Sequence, residues 1–279
     1  MTRMPKAAVL AAAFLASCAG GGSSEPGATP QPATAGRFEV RLPGSGITLG
    51  GILYRPEIPS GARRPAIVVL HGWQPSGTNG ALVVEARARR FSEQGYVALA
   101  LAMRGWAPSD GADDCGLRQP DDVARAVSWL ASQPGVDPAR VAINGFSQGG
   151  QVSLLAASRN APVRAVVAYF PVTDVARWKT TTTHPEIPGY IQAVCEPGGT
   201  TPRSPLLQAA TITAPVLLVH GDLDMQVPTE QSQLMHDTLA ALGRPTSLLL
   251  VPGAYHGFSE AQEALARPVV DEFLARELR

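Results

Sequence analysis

The sequence predicts an α/β domain built on a mostly parallel, doubly wound sheet, with an antiparallel hairpin at its start and a small insertion late in the chain. Three observations carry this. From residue 66 onward, short β-branched runs alternate with segments of helical length and spacing, the rhythm that parallel strands and their crossover helices produce. Several runs are apolar at every position, AIVVL at Ala66–Leu70 among them, as strands covered on both faces are. The first two extended runs are separated only by Pro43-Gly44-Ser45-Gly46, a hairpin signal.

In chain order, Arg37–Leu42 and Ile47–Tyr54 form the hairpin and Ala66–Leu70 the first buried strand. Leu82–Gln94 has helical spacing and stops at Gly95, a residue suited to the position that closes a helix. Val97–Ala102 is the next strand. Asp121–Ser132 is helical, with Val123, Val127 and Leu130 on one face, Trp129 in the core and Pro134-Gly135 as the stop. The strand Val141–Gly145 leads into the helix Gln148–Arg159, and Ala165–Phe170 and Val216–Val219 are two more strands. Thr229–Leu242 is a helix ending at Gly243, Ser247–Val251 the last strand and Glu260–Leu278 the last helix. Residues 172–210, rich in Thr, Pro and Gly, break the rhythm between two strands. An insertion there sits over the carboxyl ends of the strands, where such sheets bind ligands, and is expected to form a lid or pocket wall. There is no internal repeat, so residues 37–279 read as one domain.

Lys plus Arg and Asp plus Glu number 23 each among 279 residues, so the formal net charge is zero. Such a chain offers no broad basic face to nucleic acid and no acidic tail; a small-molecule partner is expected instead. With 45% hydrophobic residues the chain can bury a substantial core.

Residues 1–18 read MTRMPKAAVLAAAFLASC. Arg3 and Lys6 flank the start of an apolar stretch, Ala7 to Ala16, that is too short to span a bilayer and suits a secretory signal. It ends in Leu15-Ala16-Ser17-Cys18, which resembles the bacterial lipobox, where cleavage falls before the cysteine and the sulfur carries a lipid. The alternative is an ordinary signal peptide with a cysteine there by chance. Residues 19–36, AGGGSSEPGATPQPATAG, hold no aromatic residue and no aliphatic larger than Ala. They cannot bury a core and are expected to be a solvated tether. The expectation is a protein of the bacterial cell envelope, in contact with a membrane only through its lipid anchor. By resemblance to enterobacterial sorting, Ala19 in place of Asp favours the periplasmic face of the outer membrane.

The decisive motif for chemistry is Gly145-Phe146-Ser147-Gln148-Gly149-Gly150, between the strand VAIN and the helix QVSLLAAS. A serine at such a turn has a strained backbone and an exposed hydroxyl, and the flanking glycines avoid clashes with the neighbouring strand and helix. The alternative, a phosphate-binding turn, lacks the Lys that a P-loop places after its glycines. Serine needs a base, and the base an anionic partner; along the chain these follow as acid, then histidine. The strand VLLVH runs into Gly221-Asp222-Leu223-Asp224, and SLLLV runs into Pro252-Gly253-Ala254-Tyr255-His256. An acid and His256 therefore both lie just past strand ends, with Asp222 and Asp224 competing for the acid's place. An oxyanion hole calls for two backbone N–H groups, one from Gln148 and one from the loop His71-Gly72-Trp73. His71 and His220 end strands and are expected in the site wall or bonded to loop backbone; His184 lies in the insertion and His236 on a helix surface. No pair of histidines has metal-ligand spacing backed by carboxylates or thiols, so neither metal nor cofactor is expected.

HGDLDMQVP at 220–228 resembles the acid loop HGxxDxxVP of the α/β-hydrolase superfamily. PGAYHGF at 252–258 resembles the histidine loop of dienelactone hydrolases and of prolyl-oligopeptidase-type catalytic domains, and residues 121–141 leading into GFSQGG look like the same group. The resemblance spans most of residues 45–275. It implies an α/β-hydrolase fold, a triad of Ser147, Asp224 and His256, and Trp73 as the oxyanion donor beside Gln148. Two features depart from the pattern. Dienelactone hydrolases use a cysteine where Ser147 stands, and Trp73 and Gln74 occupy the region where prolyl-oligopeptidase relatives often add a tyrosine hydroxyl. The resemblance thus implies a serine hydrolase, with a carboxylic ester the expected substrate and a short peptide the alternative, because both reactions use the same groups. Large peptidases of the group carry a propeller that screens substrates; only a signal and tether precede the domain here, which tilts the expectation toward the ester. A non-enzymatic binding lipoprotein is disfavoured, since it would be expected to lack a triad residue.

Trp73, Trp106, Trp178 and Tyr190 fall in loops at the expected site end, where they either line an apolar pocket or pack the loops onto the body. With Cys18 lipidated, Cys115 after the strand VALALA and Cys195 in the insertion remain, an even number in an oxidising compartment. A bridge that pins the insertion over the site is expected; two separate thiols are the alternative.

Overall fold

The computed structural model describes residues 34–279. The signal segment, Cys18 and residues 19–33 of the expected tether lie outside them. One sheet holds β1 (Gly36–Pro43), β2 (Thr48–Arg55), β3 (Arg64–Leu70), β4 (Val97–Leu101), β5 (Val136–Phe146), β6 (Ala165–Tyr169), β7 (Val216–Gly221) and β8 (Thr246–Val251). Their spatial order is β1-β2-β4-β3-β5-β6-β7-β8. The β1–β2 hairpin is antiparallel and so is its junction with β4, while every later neighbour is parallel. The expected fold class, an α/β-hydrolase sheet with an antiparallel N-terminal hairpin, is the one the chain adopts.

Burial on both faces explains the apolar runs. Ile67 and Val69 of β3 join a core with Val84 and Phe91 of α1 (Gly80–Glu93) and Val270 and Phe273 of α7 (Glu260–Glu277). Val68 and Leu70 point the other way, onto Val123 and Val127 of α2 (Gln119–Ala131) and Val152 of α3 (Gln148–Ser158). Each such side chain contributes about 1.5–3 kcal/mol of burial, and strict alternation of polar residues would forfeit half of it. Further along the sheet, Met235 and Leu239 of α6 (Glu230–Ala241) cover Leu218. The strand β5 starts at Val136, five residues before the apolar run that marks it in sequence. Arg64 pairs with Val136 and Ala66 with Val141 on either side of an irregularity, so the polar Asp137–Arg140 segment lies between two paired stretches of one strand.

The chain leaves β3 for β4 on one side and returns to β5 on the other, so the carboxyl ends of β3 and β5 flank the point where the winding reverses. That crevice is where ligands bind in open sheets of this kind. Between β6 and β7 the insertion folds as α4 (Val175–Thr181), α5 (Ile187–Tyr190), a π-helical turn at Ile191–Cys195 and two 3-10 turns. Its Val175, Trp178 and Ile191 form a small apolar cluster with Cys115 and Val227 of neighbouring loops. Cys115 and Cys195 are joined in a disulfide with Cα atoms 5.2 Å apart, tying the insertion to the loop after β4. Arg203, buried, adds a second tie by donating to the carbonyls of Asp114, Pro197 and Gly199.

Candidate active site

Ser147 sits between β5 and α3 at φ 53° and ψ −116°, a conformation that costs a residue with a side chain on the order of 1–3 kcal/mol. Backbone bonds hold it there: its N–H donates to Tyr169 and its carbonyl accepts from Gln151. The neighbouring glycines are required by contact. A Cβ on Gly145 would lie 2.2 Å from the Gly149 carbonyl oxygen, and one on Gly149 would lie 2.5 Å from that of His71. The turn can therefore close only where these two positions lack side chains.

His256 Nε2 lies 3.1 Å from Ser147 Oγ, and its Nδ1 lies 2.7 Å from Asp224 Oδ2. Phe170 packs edge to face against the imidazole at 4.7 Å, fixing the ring's plane. Asp224, 1% exposed, accepts the N–H groups of Gln226 and Val227 on Oδ1 at 3.0 Å each. A second histidine faces the same carboxylate: His220 Nε2 is 3.2 Å from Oδ2 and 2.9 Å from the Val227 carbonyl. Two acceptors on one nitrogen require a proton there, so Nδ1 accepts from Ser232 Oγ at 2.7 Å. Burial pushes the Asp224 carboxyl up, but the bonds from His220 and then His256 outweigh it and hold it down at about 2. Asp222 instead accepts the Gly253 N–H at 2.7 Å and stands exposed. Of the two competing acids, the structure brings Asp224 to His256.

Gln148 is the first residue of α3, so its N–H belongs to the first turn, whose donors have no helical carbonyl. The loop after β3 lies against the serine: a Cβ on Gly72 would be 3.1 Å from Ser147 Cβ. His71, fully buried, sets that loop's conformation. Its Nε2 is 3.0 Å from the Met103 N–H and must accept, so Nδ1 carries the proton and donates to the Gly72 carbonyl at 2.7 Å. The Gly72 carbonyl and the Trp73 N–H share one planar peptide, so this bond also orients the Trp73 N–H. Burial pushes His71 down to about 4, keeping it neutral.

Two cavities meet at Ser147. The smaller, about 210 Å³, is walled by Trp73, Trp178, Ile187 and Tyr190 and floored by the serine and Gln148. The larger, about 660 Å³, opens past His256 and is bounded by Phe146, Phe258, Arg87 and Trp73. Trp178 and Tyr190 thus sit where pocket residues were expected. Trp106 does not. It is buried among Leu101, Met103 and the α2 core, donates to the Gln74 carbonyl, and lines neither cavity. An indole flanked by Gly105 and Ala107 reads as a loop residue, yet its area is better hidden against the sheet. Sequence reasoning also missed Asp113, whose carboxylate binds Tyr190 Oη and Gln148 Nε2 at 2.8 Å each, and Glu186 at the rim of the smaller cavity. Neither belongs to a local pattern; the insertion brings them in.

Paired in this way, Ser147 Oγ can pass its proton to His256 Nε2, and the resulting imidazolium is held by an anionic Asp224. A model of the prolyl oligopeptidase family matches residues 84–278, which include all three residues. Among curated relatives, a protein of Escherichia coli O157:H7, provisionally named a carboxymethylenebutenolidase, is 29% identical over 61% of this chain and 60% of its own length. A Bacillus subtilis protein named as an uncharacterized peptidase, YtmA, is 28% identical over 72% of this chain and 78% of its own. Among solved structures, a Mycobacterium tuberculosis puromycin-hydrolyzing peptidase superposes with a TM-score of 0.76 at 25% identity, covering 88% of this chain and 39% of that one. The chain thus spans about 60% of the first of these relatives and 39% of this peptidase.

Proposed function

The chain belongs to the prolyl oligopeptidase family, and from that premise we propose that it hydrolyses carboxylic esters through an acyl-enzyme on Ser147. The observation that supports this reading is the relay of Ser147, His256 and Asp224 on a strained strand-to-helix turn. In the proposed reaction Ser147 Oγ attacks the substrate carbonyl carbon while its proton moves to His256 Nε2. Asp224 stays anionic and holds the imidazolium. The N–H groups of Gln148 and Trp73 receive the charge that develops on the carbonyl oxygen. His256 then protonates the departing alkoxide, the ester C–O bond breaks, and the acyl group remains on Ser147. Water, deprotonated by His256, attacks that acyl carbon and releases the acid, and the proton returns to Ser147 Oγ. The two cavities receive the groups on either side of the carbonyl.

Esters have a good leaving group and need little remote binding, whereas amides need strong positioning and well-placed leaving-group protonation. The smaller cavity has room for one compact group, which supports the ester reading. The second reading, a peptidase of short peptides, is supported by the family and by the peptidase that superposes at 25% identity. Fluorophosphonate labelling of Ser147 tests the shared chemistry. Side-by-side kcat/KM values on p-nitrophenyl acetate and butyrate and on aminoacyl- and dipeptidyl-anilides decide between the two. The esters are expected to turn over far faster; anilides hydrolysed as well as the esters would replace the ester reading with the peptidase one.

A further inference from the structure

The smaller cavity has a charge character as well as a size. Trp73, Trp178 and Tyr190 stand around it, with the Tyr190 ring 6.0 and 6.5 Å from the other two at angles of 66° and 68°. Rings at these angles enclose a corner instead of stacking. Tyr190 Oη donates to Asp113, which lies behind the wall. Asp113 takes its hydrogen bonds from neutral groups, those of Cys115, Gln119, Gln148 and Tyr190. Among the described residues it has no ion-pair partner. Arg203 is close enough to feel its charge but spends its N–H groups on carbonyls. Glu186 adds a second carboxylate at the rim, and no Lys or Arg lines the cavity; His184 is the one lining side chain able to carry positive charge. Gln148 Oε1, in a side chain 5% exposed that lines the cavity, is a buried acceptor with no hydrogen-bond partner.

We propose that this cavity binds a cationic ammonium group, and a quaternary one best, carried by the substrate that Ser147 attacks. Aromatic walls attract a cation without asking it to donate hydrogen bonds, and the carboxylates of Asp113 and Glu186 add to the same potential. A quaternary ammonium has no N–H to leave unpaired in an apolar wall, which a primary ammonium does. A neutral group of equal shape gains the apolar contact alone. The proposal rests on Ser147 as the reacting group only for the statement that the bound cation belongs to the substrate.

The test compares choline with 3,3-dimethylbutan-1-ol, which has the same shape without the charge. Both are titrated against the full-length protein by tryptophan fluorescence, a readout that needs no turnover. Choline is expected to bind at least about tenfold more tightly than the neutral alcohol, and to slow fluorophosphonate labelling of Ser147. Glu186→Gln and Trp73→Leu, both at exposed positions, should each narrow that ratio; thermal melts establish that the variants fold. Equal or tighter binding of the neutral alcohol, no binding of choline, or a ratio unchanged in the double variant would overturn the proposal. An enzyme inert toward every ester that still prefers choline would sink the ester reading alone. Ester turnover without a choline preference would sink this inference alone.

Discussion

Two aspartates two residues apart receive opposite environments from the same loop, and the difference can be measured. Asp224 is buried with four donors around it, while Asp222 caps a turn from the surface. Asp224→Asn should lower kcat by about 10⁴-fold, because an amide no longer enforces the tautomer that leaves His256 Nε2 bare. Asp222→Asn, whose amide oxygen can still cap Gly253, should stay close to the parent; the reverse pattern would exchange the two roles. Ser147→Ala should abolish turnover with an unchanged melting temperature. His71 carries a different prediction. It titrates near 6.5 when unfolded but at about 4 when folded, so between those values the unfolded chain binds a proton that the folded one refuses. Stability should therefore fall as pH drops from about 6.5 to 4, by roughly 3 kcal/mol, and level off below. Asp224, held at about 2, acts in a lower window, since its contribution is present above its unfolded value and lost as pH falls through the folded one. Urea midpoints at pH 7 and 4.5 read the His71 effect; His71→Gln should flatten that slope, and an unchanged slope would refute it. Ser147 and the glycines around it were legible in sequence because the turn makes a local backbone demand, whereas Asp224 was separated from Asp222 only by the resemblance of its loop to a known motif. The partner of His220 and the place of Asp113 were not, because loops far apart in the chain make those contacts.

At the level of elements, the insertion is the part whose geometry the sequence left open. Its composition marked it as a break in the strand–helix rhythm, but the short helices and turns it forms depend on contacts with the loop after β4. The disulfide is the firmest of these. It joins residues 80 positions apart in sequence, and cross-links of this kind stabilise a fold by about 2–4 kcal/mol. Cys115 also lines the smaller cavity, so loosening the bridge should disturb binding as well as stability. The double variant Cys115→Ser, Cys195→Ser should unfold at lower denaturant and raise KM more than it lowers kcat, because Ser147, His256 and Asp224 are held by the sheet and not by the bridge. Loss of kcat with KM unchanged would instead show that the insertion positions the reacting groups. The misplacement of Trp106 has the same origin as the open geometry of the insertion: sequence gives the end of the sheet at which a loop lies, and packing decides which of its side chains turn inward.

Across the whole molecule, the succession of strands and helices was readable because burial on both faces leaves continuous apolar runs, and the end of the sheet that holds the site was readable because its motifs follow the strands directly. The two cavities on either side of Ser147 were not readable, since each is walled by elements from distant parts of the chain. The N-terminal segment poses the remaining question at this scale. We propose that the enzyme is held at a bacterial membrane by a lipid on Cys18. The support lies in sequence: a basic start, an apolar stretch too short to span a bilayer, the Leu-Ala-Ser-Cys ending, and a following run without any residue able to join a core. One acyl chain gives only marginal membrane binding, and stable anchoring takes more than one. The modified protein should therefore partition into detergent as a multiply acylated species whose mature N-terminus is Cys18. Cys18→Ser should leave the protein unlipidated and in the aqueous phase, with its ester turnover intact, because the site is built entirely from residues beyond 70. Mass spectrometry that finds an unmodified mature N-terminus after any residue other than Ser17 would end the anchor proposal and leave the enzyme proposal standing.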